Sequence, residues 1–513
     1  QKVTGTELLI LALLLSIGGV VVWRNAKQNP QAHATETATA VAVPAPGKSI
    51  AVLPFVNMSG DAKNDYFSDG ITEEILDALA QVPNLKVAAR TSAFAFKGKA
   101  EDLRKVGEAL GVATVLEGSV QKSGDDVRIT AQLIDTRSGY HLWSEKYDRK
   151  LTSIFAVEDE ISKAIADKLQ VQLAGGIGQA LVAQKAVDPR AHDFYLRGLT
   201  LLAAREVSEA VSAFQQAVAI DRNYAQAWAA LAEAQALLPG YGPTTAQIAY
   251  ADSLESARRA LTLNTEDALA YVAQGMVYSN QMRWAEADRA LRHALSLAPG
   301  DAEALNQYAQ FLYGVGQLAP ALEVMDRALQ SDPMSGISAS IRVQLSWLLG
   351  RIDASTAAAQ IKGILAAHPE SVFVHRAAGN IYLGLRRYAE AEAQIRAAAT
   401  LMGGDPEAKA LLIRGIADPA QRARAVQSLD PSRVNADICR DPIVCAFFLI
   451  QLGDRDAALK RLGELTADAN STIPQMLWLP EFAPIRDDPD FKALLRRIGL
   501  PYMPDKIETG AKS

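Results

Sequence analysis

Cys439 and Cys445 are the two cysteines of the chain. Six residues apart with Pro442 between them, they could meet as a disulfide across a bent loop. That would need the helix expected from Pro442 to be short or distorted at its start. Two buried free thiols are the other reading, and the residues leave both open. Asp61, Asp65, Asp69, Glu73 and Glu74 form an acidic run. Holding a cation needs a spacing that fixes a set of oxygen ligands, and none is present; a loop and a helix cap explain the run more simply. Lys97, Gly98 and Lys99 resemble phosphate contacts but lack a Gly-rich strand-to-helix setting. His141 and Trp143 alternate with Leu142, as side chains that pack on or decorate a strand, and no motif pairs His141 with a nucleophile or base. No nucleophile elbow, metal motif or phosphate loop occurs, so the expectation is a chain that is not an enzyme. On this reading catalytic, cofactor-binding and metal residues are all none, and no small-molecule substrate is expected.

Chemistry of binding is the alternative, and a 34-residue rhythm carries it. Tyr271, Gly275, Tyr278, Ala287, Leu291, Ala294 and Pro299 are followed one period later by Leu305, Ala309, Leu312, Ala321, Met325, Ala328 and Pro333. This is the pattern of tetratricopeptide (TPR) repeats, in which helix pairs stack into a solenoid. The small helix-A residue recurs at Gly198, Ala232, Gly275, Ala309, Val343 and Gly379, with gaps of 34, 43, 34, 34 and 36. It lets helix A approach helix B, where Ala210, Ala287, Ala321 and Ala391 do the same, while Phe214, Leu291, Met325 and Ile395 fill the space to the next repeat. Val343 marks a weak fifth repeat. The long gap holds an insertion, Leu237–Gln247, in which Tyr241 is the aromatic expected to meet a partner; a plain long loop is the other reading. Past Gly403 the register blurs into helical segments, and Phe491, Leu494, Leu495 and Ile498 fall on one face of a closing cap helix.

The 513 residues are 49% hydrophobic and 21% charged, with a formal net charge of -6. That balance lacks the basic footprint of nucleic-acid binding, so no direct nucleic acid is expected. Ahead of the repeats, Ser49–Val56 reads as a buried strand and Phe67–Ala80 as an amphipathic helix. Leu85–Ala89 is a short strand, and Leu103, Val106 and Leu110 share a helix face. Three strands follow at Thr114–Gln121, Val127–Ile134 and Gly139–Tyr147, the first two joined by a hairpin signal, and then a helix over Ile154–Leu173. The order β-α-β-α-β-β-β-α implies a complete small α/β domain with a mixed sheet.

That region resembles the TolB-like, FlgO-related domain of bacterial proteins that also carry TPR arrays. The resemblance rests on SIAVLPFVNMSGD (Ser49–Asp61), YFSDGITEEI (Tyr66–Ile75), LKVAARTSAFAFKG (Leu85–Gly98), the stretch Val115–Arg149 and IFAVEDEIS (Ile154–Ser162). It implies a layout of cytoplasmic effector, single membrane span, this domain and then TPRs, the effector being a winged-helix regulator or a nucleotide cyclase. Neither effector is within the sequence.

Leu8–Trp23 is apolar and uncharged, with Trp23, Arg24 and Lys27 at an interface, as in a membrane anchor; a signal-peptide core and a buried helix are the alternatives. The chain starts at Gln1, as a fragment or a processed product would. Lysine and arginine counts alone slightly favour a cytoplasmic C-terminal side, whereas the resemblance places the folded body outside the cytoplasm and outweighs them. The fold expected is thus a small α/β domain with mixed sheet, an all-α TPR solenoid and one N-terminal transmembrane helix. Its segments are 1–7 residual, 8–24 transmembrane, 25–47 flexible linker, 48–173 TolB-like domain and 174–187 connector. TPR repeats occupy 188–403, and degenerate repeats with a cap 404–513. Its expected role is a single-pass inner-membrane scaffold or sensory ectodomain, with residues 48–513 periplasmic, holding a protein or peptide partner. The alternative is the receptor part of a signalling protein.

Overall fold

The structure is a computed structural model that describes residues 48–80, 82, 85–150, 154–169, 187–241, 244–430, 433, 435, 438–439, 441–465 and 474–500. The expected residual segment, membrane helix and linker (1–47), and all of the 174–187 connector but its last residue, lie outside the described residues. No described helix is long and apolar enough to cross a membrane.

The chain enters on β1 (Ser49–Val52), in which all four residues are fully buried. Such an unbroken apolar run suits a central strand covered on both faces. Pro54 interrupts the expected eight-residue strand, which resumes only as β2 (Val56–Asn57). At the break the Phe55 N–H donates to Thr72 Oγ1 at 3.0 Å, on helix α1 (Asp65–Ala80). Next come β3 (Lys86–Val87), a short helix α2 (Arg90–Phe94) and α3 (Leu103–Leu110). The strands β4 (Thr114–Ser123), β5 (Asp126–Asp135) and β6 (His141–Lys150) form a meander, followed by α4 (Ile154–Lys168). The sheet order is β3-β1-β4-β5-β6, with parallel pairing of β1 to β3 and β4 and antiparallel pairing beyond β4. The mixed sheet is as the residues imply; α2 carries no periodic signal at five residues and is an addition.

Helix pairs follow at the repeat period. They are α5 (Pro189–Ala203) with α6 (Val207–Ile220), α7 (Ala225–Leu237) with α8 (Ala246–Leu263), and α9 (Ala268–Asn280) with α10 (Trp284–Leu297). Then come α11 (Ala302–Gly314) with α12 (Leu318–Ser331), α13 (Gly336–Leu348) with α14 (Ala354–Ala367), and α15 (Val372–Gly384) with α16 (Tyr388–Leu401). The blurred stretch past Gly403 still makes two pairs, α17 (Pro406–Ala417) with α18 (Pro419–Ser428) and α19 (Pro442–Gln451) with α20 (Arg455–Gly463). Two short helices, α21 (Ala483–Arg486) and α22 (Pro489–Arg497), end the described chain. Helix starts are set by carboxylate or hydroxyl caps: Asp188, Asp267, Asp301, Ser335, Ser371, Asp405 and Asp441 each accept a backbone N–H of the first turn. The insertion in the second repeat is taken up by a 3-10 turn at Leu238–Gly240 and an 18-residue α8.

The register residues act as their size requires. A Cβ built on Gly198 would lie 2.4 Å from the Phe214 ring, and one on Gly275 would lie 2.4 Å from Leu291. Gly379 is looser, at 3.4 Å from Ile395.

Two long-range features lie outside any local pattern. The α/β core continues into the first repeats: Phe67, Ile71 and Ile75 of α1 share one buried cluster with Tyr195, Leu196 and Phe214. Gly70 lets α1 close on α5, since a Cβ there would be 2.7 Å from Leu196. The same domain also meets the turn between α12 and α13. The Ala89 N–H donates to the Ser331 carbonyl at 2.8 Å, Ser92 Oγ donates to Asp332 Oδ1 at 2.5 Å, and the Met334 N–H donates back to Ser92 Oγ at 2.9 Å. The array therefore bends round to touch its own N-terminal domain twice. The C-terminal segment, expected to seal the last edge, packs Phe491, Leu494 and Leu495 into one cluster with Ala458 and Leu462 of α20 and also crosses back over earlier repeats. Trp478, 1% exposed, donates its Nε1–H to the Gly314 carbonyl at 2.9 Å, and Trp284 Nε1–H donates to the Ile498 carbonyl at 2.6 Å.

Candidate functional site: a half-open chamber

The bending of the array and the two returns surround a chamber of about 2250 Å3. Its wall is built by periodicity. The residue one position after each register residue is Leu199, Glu233, Met276, Gln310, Gln344 and Asn380, and all six line the space. Helix geometry places the residues three and four positions away on the same face, so Tyr195, Asn306, Tyr313 and Arg376 join them. The α/β domain adds Glu73, Glu74 and Asp77 from α1 and Arg90 from α2, and the returning C-terminal segment adds Pro474, Gln475 and Met476.

The chamber is acidic. Nine carboxylates line it (Glu73, Glu74, Asp77, Glu233, Glu266, Asp267, Asp301, Glu303, Asp332) against three arginines (Arg90, Arg205, Arg376) and no lysine. That excess alone matches the formal charge of -6 of the entire chain. Arg90 is spent on Glu73, at 2.7 Å. Burial, with Glu303 next in effect, pushes the Glu233 carboxyl up to about 8. The Asp77 side chain is exposed to the chamber, yet desolvation by the surrounding walls, and then Glu73, Glu74 and Asp301, raise its carboxyl above the ordinary range. Burial holds Asp301 and Asp267 at about 6 although each caps a helix. Tyr313 is 1% exposed and its hydroxyl has no hydrogen-bond partner among the described residues.

Tyr241, 47% exposed, lies in the chamber wall and close enough to Arg376 of the sixth repeat to affect its titration. Cys439 and Cys445 are bonded to each other, with Cα atoms 4.5 Å apart. The helix from Pro442 needs no distortion for this: Asp441 caps it, Cys439 sits just before the cap, and Cys445 faces back from the first turn. The acidic run is partitioned among structural duties. Asp61 caps a 3-10 turn, Asp65 accepts from Asn57, Asp69 pairs with Lys97 at 2.5 Å and Glu73 pairs with Arg90. Lys97, considered for phosphate, is thereby occupied, and His141 is exposed at the start of β6. Glu233, Asp77 and Tyr313 were not singled out from sequence. Only the register-plus-one position carries a signal for Glu233, and it is legible once the period is known.

No family model matches the chain. One curated relative, of Rhizobium meliloti (strain 1021), is named "Putative adenylate cyclase 3"; it is 48% identical over 173 residues, 33% of this chain and 30% of that protein. The chain thus spans under a third of that relative's length. Among solved structures it is similar to PilW, a widely conserved type IV pilus biogenesis factor, at 19% identity and TM-score 0.31, covering 46% of this chain and 91% of that one. It is also similar to Pseudomonas aeruginosa PilF, at 21% identity and TM-score 0.32, covering 42% and 96%. A third is a tetratricopeptide repeat protein from Parabacteroides merdae, at 16% identity and TM-score 0.34, covering 51% and 92%. TM-scores this low carry no argument about function, so the reading of this chain rests on its own period and helix pairs: a small mixed-sheet domain followed by a TPR-like helical solenoid.

Proposed function

We propose that the chain is a binding protein that holds a segment of a protein partner inside the chamber, and that it has no catalytic step of its own. The carrying observation is the chamber, to whose wall each of the six repeats contributes its register-plus-one residue, and whose volume exceeds the roughly 300–1,000 Å3 of a small-molecule pocket. A photo-crosslinking residue at Gln344 should capture a partner in cells, and the same residue at Lys362, exposed on α14, should not. Equal capture from both sites would sink the reading. The purified chain should form no cyclic AMP from ATP and magnesium.

The residues 48–173 that resemble a TolB-like domain, and the apolar stretch 8–23, support a finer reading as a membrane-tethered ectodomain in the periplasm. The Cys439–Cys445 bond suits an oxidising compartment. Alkylation of freshly lysed cells should leave both thiols unlabelled until a reductant is added; labelling without reductant would place the body in the cytoplasm. A second reading, the receptor half of a signalling protein with a separate cytoplasmic effector, is favoured by the name of the Rhizobium relative. The full gene tests it: an upstream helix-turn-helix or cyclase segment is the expected finding.

A further inference from the structure

We infer that the occupant of the chamber is an extended peptide segment bearing lysine or arginine, and that the α/β domain supplies part of its cation subsite. This rests on the reading of the chamber as a partner-binding site.

Three observations converge. The first is a charge deficit at one place. Asp77 and Glu303 come from opposite sides of the domain boundary, and Glu233 feels both Glu303 and Asp301 while Asp77 feels Glu73, Glu74 and Asp301. Neither Asp77 nor Glu233 has a hydrogen bond or ion pair to a described residue, whereas Glu73 has Arg90 and Glu303 accepts from Gln307. Of the arginines near this cluster, Arg90 is committed to Glu73 and Arg205 is a single charge among several carboxylates. Carboxylates crowded together hold protons on one another, and an incoming cation that takes the place of those protons is favoured while an anion is excluded.

The second is the amide row. Gln310, Gln344 and Asn380 stand at the same register position of three successive repeats. Each side-chain amide both donates and accepts, which matches the N–H and C=O groups that an extended peptide presents along its length. The third lies within that row: Gln344 is only 8% exposed, lines the chamber and makes no side-chain hydrogen bond to a described residue, so a nearly buried amide in the wall is left unmet. An acidic peptide or a nucleic acid would meet the carboxylates with the wrong sign.

The test uses the full chain and three fluorescein-labelled twelve-residue peptides of matched length, lysine-rich, glutamate-rich and uncharged, read by anisotropy. The lysine-rich peptide should bind, lose affinity with added salt, and weaken at least about tenfold in Asp77→Asn and again in Glu233→Gln. Asp125→Asn, on the exposed β4–β5 turn, changes the net charge equally and should leave binding unchanged. Both chamber carboxylates are raised by the fold, so their neutral amides should keep or raise the melting temperature, and a loss of binding is then not unfolding. If the uncharged or glutamate-rich peptide binds as well as the lysine-rich one, or if the two variants bind like the parent, the cation subsite is overturned while the chamber reading stands. If no peptide binds and crosslinking from Gln344 captures nothing, the chamber reading itself has failed.

Discussion

Gly275 shows how much a single hydrogen in place of a methyl decides in this array. A Cβ at that position would sit 2.4 Å from the Leu291 side chain, so Gly275→Ala forces the helix pair apart. The cost of such overpacking, about 1–3 kcal/mol, exceeds the roughly 1 kcal/mol that alanine returns in helix propensity. At Gly379 the nearest atom is 3.4 Å away, so Gly379→Ala should be neutral or stabilising. Urea unfolding midpoints of the two variants should move in different directions from the parent. Glu233 gives a second residue-level expectation. Its carboxyl titrates at about 8 in the fold against 4.5 for an ordinary glutamate. Between those values the folded state binds the extra proton, so stability is full below the lower value and is lost as pH rises through the upper one. The facing charges are Glu303, Arg205, Asp301 and Glu73. Melting temperature should therefore fall across that window, and the slope should flatten in Glu233→Gln.

At the scale of elements, the seam between α2 and the turn joining α12 to α13 has one hydroxyl at two of its three hydrogen bonds. Ser92 donates to Asp332 and accepts from the Met334 N–H, and Asp332 is only 7% exposed. Ser92→Ala leaves the Met334 N–H without its acceptor and the Asp332 carboxylate with only Thr91 and the Ser92 backbone N–H, at a cost of about 1–3 kcal/mol. Hydrogen exchange should speed up at residues 331–337 and 89–94 together; a change confined to one side would argue against a shared seam. Elements held by local rules were legible in the sequence: the β4–β5 hairpin from its turn residues, the helix pairs from the 34-residue period, and the packing of Gly198 on Phe214 from their positions in it. What was not legible joins residues far apart. Ser92 and Asp332 are separated by 240 positions, and Trp478 and Gly314 by 164. Neither pair belongs to a period, a cap or a turn, so no local pattern marks it. The chamber was hidden for the same reason, since its acidic wall joins α1 to repeats that bend round to meet it.

At the scale of the molecule, the returning C-terminal segment ties together repeats that a simple solenoid would leave independent. Solenoid stability is approximately a sum of repeats and their neighbour interfaces, and each long-range tie adds a term that couples distant pairs. Trp478→Ala removes a fully buried indole and its bond to Gly314, and should cost about 3–5 kcal/mol. The expected sign of lost coupling is a broadened denaturant transition, with α19–α22 opening before α5–α10 in pulse proteolysis; one sharp transition at a lower midpoint would show that the repeats remain coupled without this tie.

The Trp478–Gly314 bond also has a consequence in time. A chain emerges from the ribosome at about 5–20 residues per second, so Gly314 waits on the order of ten to thirty seconds for its partner 164 residues later. During that interval the inner face of the middle repeats lacks its last wall. A newborn chain passes through a stage in which its chamber is open on a side that the finished protein walls off.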